Sequence, residues 1–169
     1  MHPVENILPD LKPFLDKVFL NLFVNAIHIQ GFEMDHICYR VETDERYETL
    51  KKELSTIGEM INESDINGRQ IAVFKLEEPV RHEMRDIYLI ELPAPKKGRF
   101  YKEGYEHVEF VIDYSLEDFV RGFEHIDFDK KGMDKEINPD VRIQFEDISV
   151  KFHEYDLEYV IDCLDELRN

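Results

Sequence analysis

The sequence is short of cysteine, of basic residues and of long apolar runs, and each shortage removes a class of protein. The two cysteines, Cys38 and Cys163, stand far apart and form neither a close-spaced metal motif nor a disulfide framework. A reducing, cytoplasmic setting is the expectation. Lysine and arginine total 21 against 38 aspartates and glutamates, a formal net charge of −17. That balance repels phosphate backbones and anionic lipid over most of the surface. The one basic run, Lys96-Lys97-Gly98-Arg99, is too short to reverse it, so neither a nucleic acid nor a membrane is expected as a partner. The longest apolar stretch, 18–29, is broken by Asn21, Asn25 and His28. It falls short of the roughly 20 residues a bilayer span needs. Met1-His2-Pro3-Val4-Glu5-Asn6 lacks a basic n-region, and no signal peptide is expected.

What is present points to a packed α+β protein. A chain of 169 residues with 43% hydrophobic content can bury a core, as one domain or as two small modules packed together. Leu15, Val18, Phe19, Leu22, Phe23, Ala26 and Ile27 recur at helical spacing and predict a helix over 9–30, ended by Gly31. Residues 34–41 alternate as a strand, with His36, Cys38 and Arg40 on one side and Ile37, Tyr39 and Val41 on the other. Thr43 and Asp44 can cap a helix over 45–57 whose buried stripe is Tyr47, Leu50, Leu54 and Ile57, with Gly58 as its stop. Strand-like segments follow at 59–64, 69–77 and 85–92, with Asn67-Gly68 as a hairpin signal.

The pattern then starts again. Asp35-His36-Ile37-Cys38-Tyr39-Arg40 lies against Glu106-His107-Val108-Glu109-Phe110-Val111, and the helix after each strand keeps the same offset. Ser115 caps the second of these helices. Strands are expected at 140–146 and 148–154, with a weak one near 134–137, and Asp156 caps a terminal helix carrying Leu157, Val160, Ile161, Leu164 and Leu167. The period is that of a whole module. The expected architecture is therefore α+β, one domain over 1–169. An N-terminal helix (9–30) precedes two tandem βαβββ modules, 33–95 and 104–169, whose sheets form a cupped surface or half-barrel with the helices outside.

Such a layout places chemistry on the face the helices leave open. The apolar side of each first strand must pack on its own helix. His36 and His107 therefore point to the open side. In 87–92 the same alternation puts Glu91 there; in 148–154 it puts His153 there and Glu154 on the helix side, a choice that a one-residue bulge would reverse. Asp35 and Glu106 point away by alternation and are not counted. Three imidazoles and a carboxylate form a mixed nitrogen and oxygen donor set for a divalent ion such as zinc, nickel, iron or manganese. Arg40 and Glu109 share the open face, and Lys75 and Lys151 are expected to project toward the same space. Arg40 and Lys75 suit binding of an anionic or oxygen-rich small molecule, and Glu109 suits proton transfer. Arg40 and Glu109 pairing with each other is the plain structural alternative. His2, His28, His82 and His125 have no counterpart in the repeat and read as surface or packing residues.

At these residues the chain resembles the YecM family, a group placed with the vicinal oxygen chelate (glyoxalase, bleomycin-resistance and dioxygenase) superfamily. The motifs that carry the resemblance are Asp35-His36-Ile37, Ile66-Asn67-Gly68-Arg69, Phe74-Lys75-Leu76-Glu77-Glu78-Pro79-Val80, Ile90-Glu91-Leu92-Pro93, Glu103-Gly104-Tyr105-Glu106-His107 and Val150-Lys151-Phe152-His153. They spread over about residues 8–165, and 124–146 matches least. The resemblance implies paired βαβββ modules and a metal site at His36, Glu91, His107 and His153. It implies isomerase, lyase or dioxygenase-type chemistry on a small oxygen-bearing substrate. Metal-free binding proteins in the same superfamily imply an alternative, a non-catalytic small-ligand-binding protein. An interaction module, docking another protein through the N-terminal helix or the acidic surface, is the third reading.

Overall fold

The computed structural model describes residues 2–168. In chain order the elements are a short 3-10 turn (Pro3–Asn6), α1 (Lys12–Val24), β1 (Glu33–Arg40), α2 (Asp44–Leu54), β2 (Gly58–Asp65), β3 (Gln70–His82) and β4 (Arg85–Pro93). Then come β5 (Gly104–Val111), α3 (Leu116–Gly122), a 3-10 turn (Lys131–Asp134), β6 (Asp140–Phe145), β7 (Ile148–His153) and α4 (Leu157–Arg168). No helix among the described residues is long and apolar enough to cross a membrane.

Two compact units emerge. One takes in the chain up to Leu15 together with His36–Glu106; the other takes in Asp16–Asp35 together with the chain from His107 onward. Most of α1 therefore belongs with the second half of the chain.

In the first unit the strands run β2-β3-β4-β1, with β1 parallel to β4 and the other pairs antiparallel. Thr43 caps α2 by accepting from the Arg46 amide, and Tyr47, Leu50 and Leu54 are buried as the spacing requires. Asn67 and Gly68 take φ values of 55° and 81°, the left-handed pair of a two-residue hairpin. Gly58 does not merely stop a helix. It opens β2 so close to β3 that a Cβ would meet the Lys75 carbonyl at 2.5 Å, which only glycine tolerates.

In the second unit the order is β5-β7-β6, with β5 parallel to β7 and β6 antiparallel to it. First strand beside last strand, in parallel, is the same arrangement as β1 beside β4. The internal repeat is thus a repeat of topology. The second unit has one strand fewer among its described residues: the weak segment near 134–137 is a turn and loop, and the chain upstream of it touches the sheet through an isolated bridge between Asp129 and Arg142. The apolar face of this sheet is aromatic. Phe152 stacks on Phe110 at 5.8 Å and meets Phe119 at 4.5 Å, and Phe119 also meets Phe123 and Phe128. Phe19 of α1 adds an edge contact to Phe110. Each such pair adds about 0.5–1.5 kcal/mol beyond its buried area.

α1 ends earlier than its periodicity suggests, at Val24. The reason is a left-handed C-terminal cap built on alanine. Ala26 has φ 54°, its N–H donates to the Phe23 carbonyl, and the Ile27 N–H donates to the Leu22 carbonyl. These are the two bonds of a Schellman motif, and the apolar partners it calls for, Leu22 and Ile27, are both buried. Phe23, counted in the apolar stripe, lies outside it at 82% exposure, and Leu167 likewise ends exposed on α4.

An alanine held left-handed costs about 1–2 kcal/mol, while glycine returns roughly 0.5–1 kcal/mol to chain entropy. Ala26→Gly should therefore stabilise the protein by about 0.5–1 kcal/mol, seen as a higher urea midpoint at unchanged slope. A midpoint that stays or falls would contradict the cap.

Candidate functional site

Strand register decides which side chains share a face. In the first unit His36 lies opposite Leu89, and Cys38 opposite Glu91; Leu89 in turn faces Lys75. His36, Cys38, Arg40, Lys75 and Glu91 therefore stand on one side of this sheet. His36 Nε2 is 3.9 Å from Glu91 Oε2, with the imidazole 3% exposed and the carboxylate 17%. Cys38 is buried and near the Glu106 carboxylate. Arg40 pairs with Glu106 at 3.5 Å, and the Tyr101 ring lies 4.6 Å from its guanidinium carbon.

In the second unit His107, Glu109 and Val111 lie opposite Ser149, Lys151 and His153. The face opposite the aromatic cluster is consequently polar, and it is buried. Glu109 is its hub. Oε1 accepts from Lys151 Nζ at 2.7 Å and lies 3.1 Å from His107 Nε2; Oε2 is 3.3 Å from His153 Nε2. His153 Nε2 is also 3.3 Å from Asp35 Oδ2. Burial alone would hold the His153 imidazolium below its usual range, but the Asp35 and Glu109 carboxylates outweigh it and hold the pKa up at about 9.

The sequence-derived residues fall into two sets. His36, Glu91, Arg40 and Lys75 share the face in the first unit; His107, Glu109 and His153 meet in the second. Glu109 is engaged by Lys151, His107 and His153, while Arg40 forms an ion pair with Glu106. Glu154 serves a different purpose. Its Oε1 accepts from the Leu116 amide at the start of α3, on the helix side. Asp35, set aside by alternation, proves to be part of the polar cluster. Both its oxygens accept from the Leu157 amide at the start of α4, and it reaches His153 from there. No local signal marks it, because the amide it accepts from lies at the part-buried start of α4, far along the chain.

Register also corrects the repeat. Offset from Cys38 and Glu91, the equivalent pair is Glu109 and Lys151. The counterpart of Glu91 is thus Lys151, and His153 sits two residues further along its strand.

The donors fit a divalent ion. Asp35, His107, Glu109 and His153 are all below 10% exposed, and imidazole with carboxylate is the donor mix of zinc, iron, nickel and manganese sites. Candidate metal-holding pairs among the described residues include His36 with Glu91 and Asp35 with His153, each with donor atoms within 4.8 Å.

An α+β chain of tandem modules with buried imidazole and carboxylate groups defines the class. Residues 4–163 match the YecM protein family, and the chain belongs to that family. It is 35% identical to Protein YecM of Escherichia coli K12 over 112 residues, 64% of this chain and 58% of that protein. It is 32% identical to an uncharacterized protein of Haemophilus influenzae over 89 residues, 53% of this chain and 47% of the other. The matched chain thus spans about half the length of these relatives. A solved structure titled Structural Genomics, Protein EC4020 superposes with TM-score 0.78 at 25% identity, covering 96% of this chain and 93% of that one.

With a folded pKa of about 9 against an ordinary 6.5, His153 contributes stability fully present below pH 6.5 and lost as pH rises through 9. Metal-stripped protein should lose on the order of 3 kcal/mol across that window, measured by urea unfolding at each pH. His153→Gln should flatten the dependence; an equal slope in that variant would assign it elsewhere.

Proposed function

We propose that the protein binds a divalent metal ion (zinc, nickel, iron or manganese) and acts as an enzyme on a small oxygen-bearing molecule. The proposed ligands are His36 and Glu91 in the first unit, and His107 and His153 in the second. The observation that carries this reading is the burial of imidazoles against carboxylates: His36 with Glu91, and His107 and His153 with Glu109 and Asp35. Buried ionisable groups are costly unless paired or bound to metal, and they cluster at functional sites. A bound metal supplies Lewis acidity, polarising a substrate oxygen or activating water.

The chain's own residues do the rest. Glu109 is the proposed proton carrier. Its Oε1 lies against His107, so a proton taken there is shared with that imidazole, while His153, with its pKa held up at about 9, already carries its own proton and steadies Oε2. Lys151 holds the carboxylate in place. Asp35 orients His153 from the start of α4. Isomerase, lyase and dioxygenase-type reactions are all compatible with such a set, as the family resemblance implies. Family membership and fold add no reaction by themselves.

One observation favours the alternative, a non-catalytic protein binding a small ligand. Glu109 already has a cation, Lys151, at 2.7 Å, so part of the buried charge is balanced without an ion.

The test is elemental analysis of protein purified without a histidine tag, beside His36→Ala, His107→Ala and His153→Ala. The expected result is near-stoichiometric metal in the native protein, falling at least tenfold in each variant, as loss of one ligand in a small set entails. No metal in the native protein, with no rise in melting temperature on adding any of the four ions, would move the binding-protein reading to first place.

A further inference from the structure

Arg40 ends β1 on the face that carries His36 and Cys38. Its side chain is 23% exposed. One end meets Glu106 at 3.5 Å, the outer limit of a useful hydrogen bond, and the guanidinium carbon lies over the Tyr101 ring. Neither contact uses Nε. That N–H is buried and has no hydrogen-bond partner among the described residues. A buried donor left unbonded needs a reason, and a ligand is one of the few.

We propose that Arg40 is a carboxylate-binding residue of this face, taking a planar carboxylate through Nε and a neighbouring Nη as a two-bond fork, and that Tyr101 positions it. The fork of an arginine matches the two oxygens of a carboxylate, which a lysine ammonium cannot do. Glu106 offsets part of the guanidinium charge, so a singly charged carboxylate suits the place better than a doubly charged phosphate. The Tyr101 ring fixes the guanidinium plane by stacking, with the cation over the ring face.

Place on the strand sets the ligand class. His36, Glu91, Lys75 and Arg40 share one face by register. From His36 to Arg40 the strand rises about 13 Å between Cα atoms, a span within reach of one small molecule together with the two side chains. The ligand is a small organic acid: a carboxylate at the Arg40 end, and oxygen donors toward His36 and Glu91. This inference rests on that face being a ligand site, and it does not require the metal to be bound.

The arginine Nε–H gives its own proton–nitrogen NMR signal, assigned by its loss in Arg40→Lys. Metal-stripped protein is titrated with glycolate, pyruvate, malonate and inorganic phosphate. At least one carboxylate is expected to move the Arg40 signal saturably, and to bind about tenfold more weakly in Arg40→Lys, the loss expected for one charge-assisted bond. Tyr101→Leu should weaken binding similarly while Tyr101→Phe, which keeps the ring, retains it. An Arg40 signal indifferent to every carboxylate overturns the proposal. So does phosphate acting at lower concentration than any of them, or unchanged affinity in Arg40→Lys. Equal affinity in Tyr101→Leu and native protein removes the positioning role. Carboxylate binding retained in a protein that takes up no metal sinks the metal reading alone; metal uptake with an indifferent Arg40 sinks this one alone.

Discussion

The burial of Phe152 against Phe110 and Phe119 is the constraint on which the second unit depends. A strand residue fixed inward sends its neighbours outward, because successive side chains alternate. With Phe152 in the aromatic cluster, Lys151 and His153 have no choice but the opposite face. Val108 and Phe110 impose the same on His107 and Glu109, and the parallel register of β5 and β7 then sets Glu109 opposite Lys151. The chemistry-bearing side is thus a consequence of core packing on the other. A one-residue slip in β7 would put Phe152 among the carboxylates and His153 in the aromatic core, a double penalty that keeps the register unique.

Burying that much charge is unfavourable in itself, and the geometry shows how the cost is met. A carboxylate out of water is tolerable when its oxygens are matched by donors. Glu109 has Lys151 and two imidazoles. Asp35 has the amide of Leu157 and His153, so it serves α4 and the polar cluster at once. Removing one member of such a network leaves the others buried and uncompensated, which costs more than the pair contributes. His107, Glu109, His153 and Asp35 are therefore coupled in stability as well as in any reaction, and single substitutions among them will not add.

Much of this is legible in the sequence because it follows from period and from caps. Thr43, Ser115 and Asp156 cap the helices expected of them, Asn67-Gly68 turns the hairpin, and the His36 and His107 strands recur with the same neighbours. What escapes a sequence reading is set by tertiary contact. Ala26 ends α1 in a conformation usually left to glycine or asparagine, and only the burial of Leu22 and Ile27 sustains it. Gly58 reads as a helix stop, yet its need is the approach of the Lys75 carbonyl. Alternation sets Asp35 aside, yet its carboxylate meets both the Leu157 amide at the start of α4 and His153. None of these partners is near in sequence.

The repeat itself gains meaning from where it fails. Register equates Cys38 with Glu109 and Glu91 with Lys151, so the two units keep the strand histidine but exchange the nature of its companions. In the first unit a carboxylate on the last strand stands beside the histidine and a thiol occupies the middle of the first strand. In the second the carboxylate has moved to the first strand, a cation has taken its old place, and an imidazole follows two residues later. The positions that face the histidines thus differ on a backbone topology that the units share. A carboxylate stands beside His36 in the first unit, whereas in the second Glu109 is held among Lys151, His107 and His153.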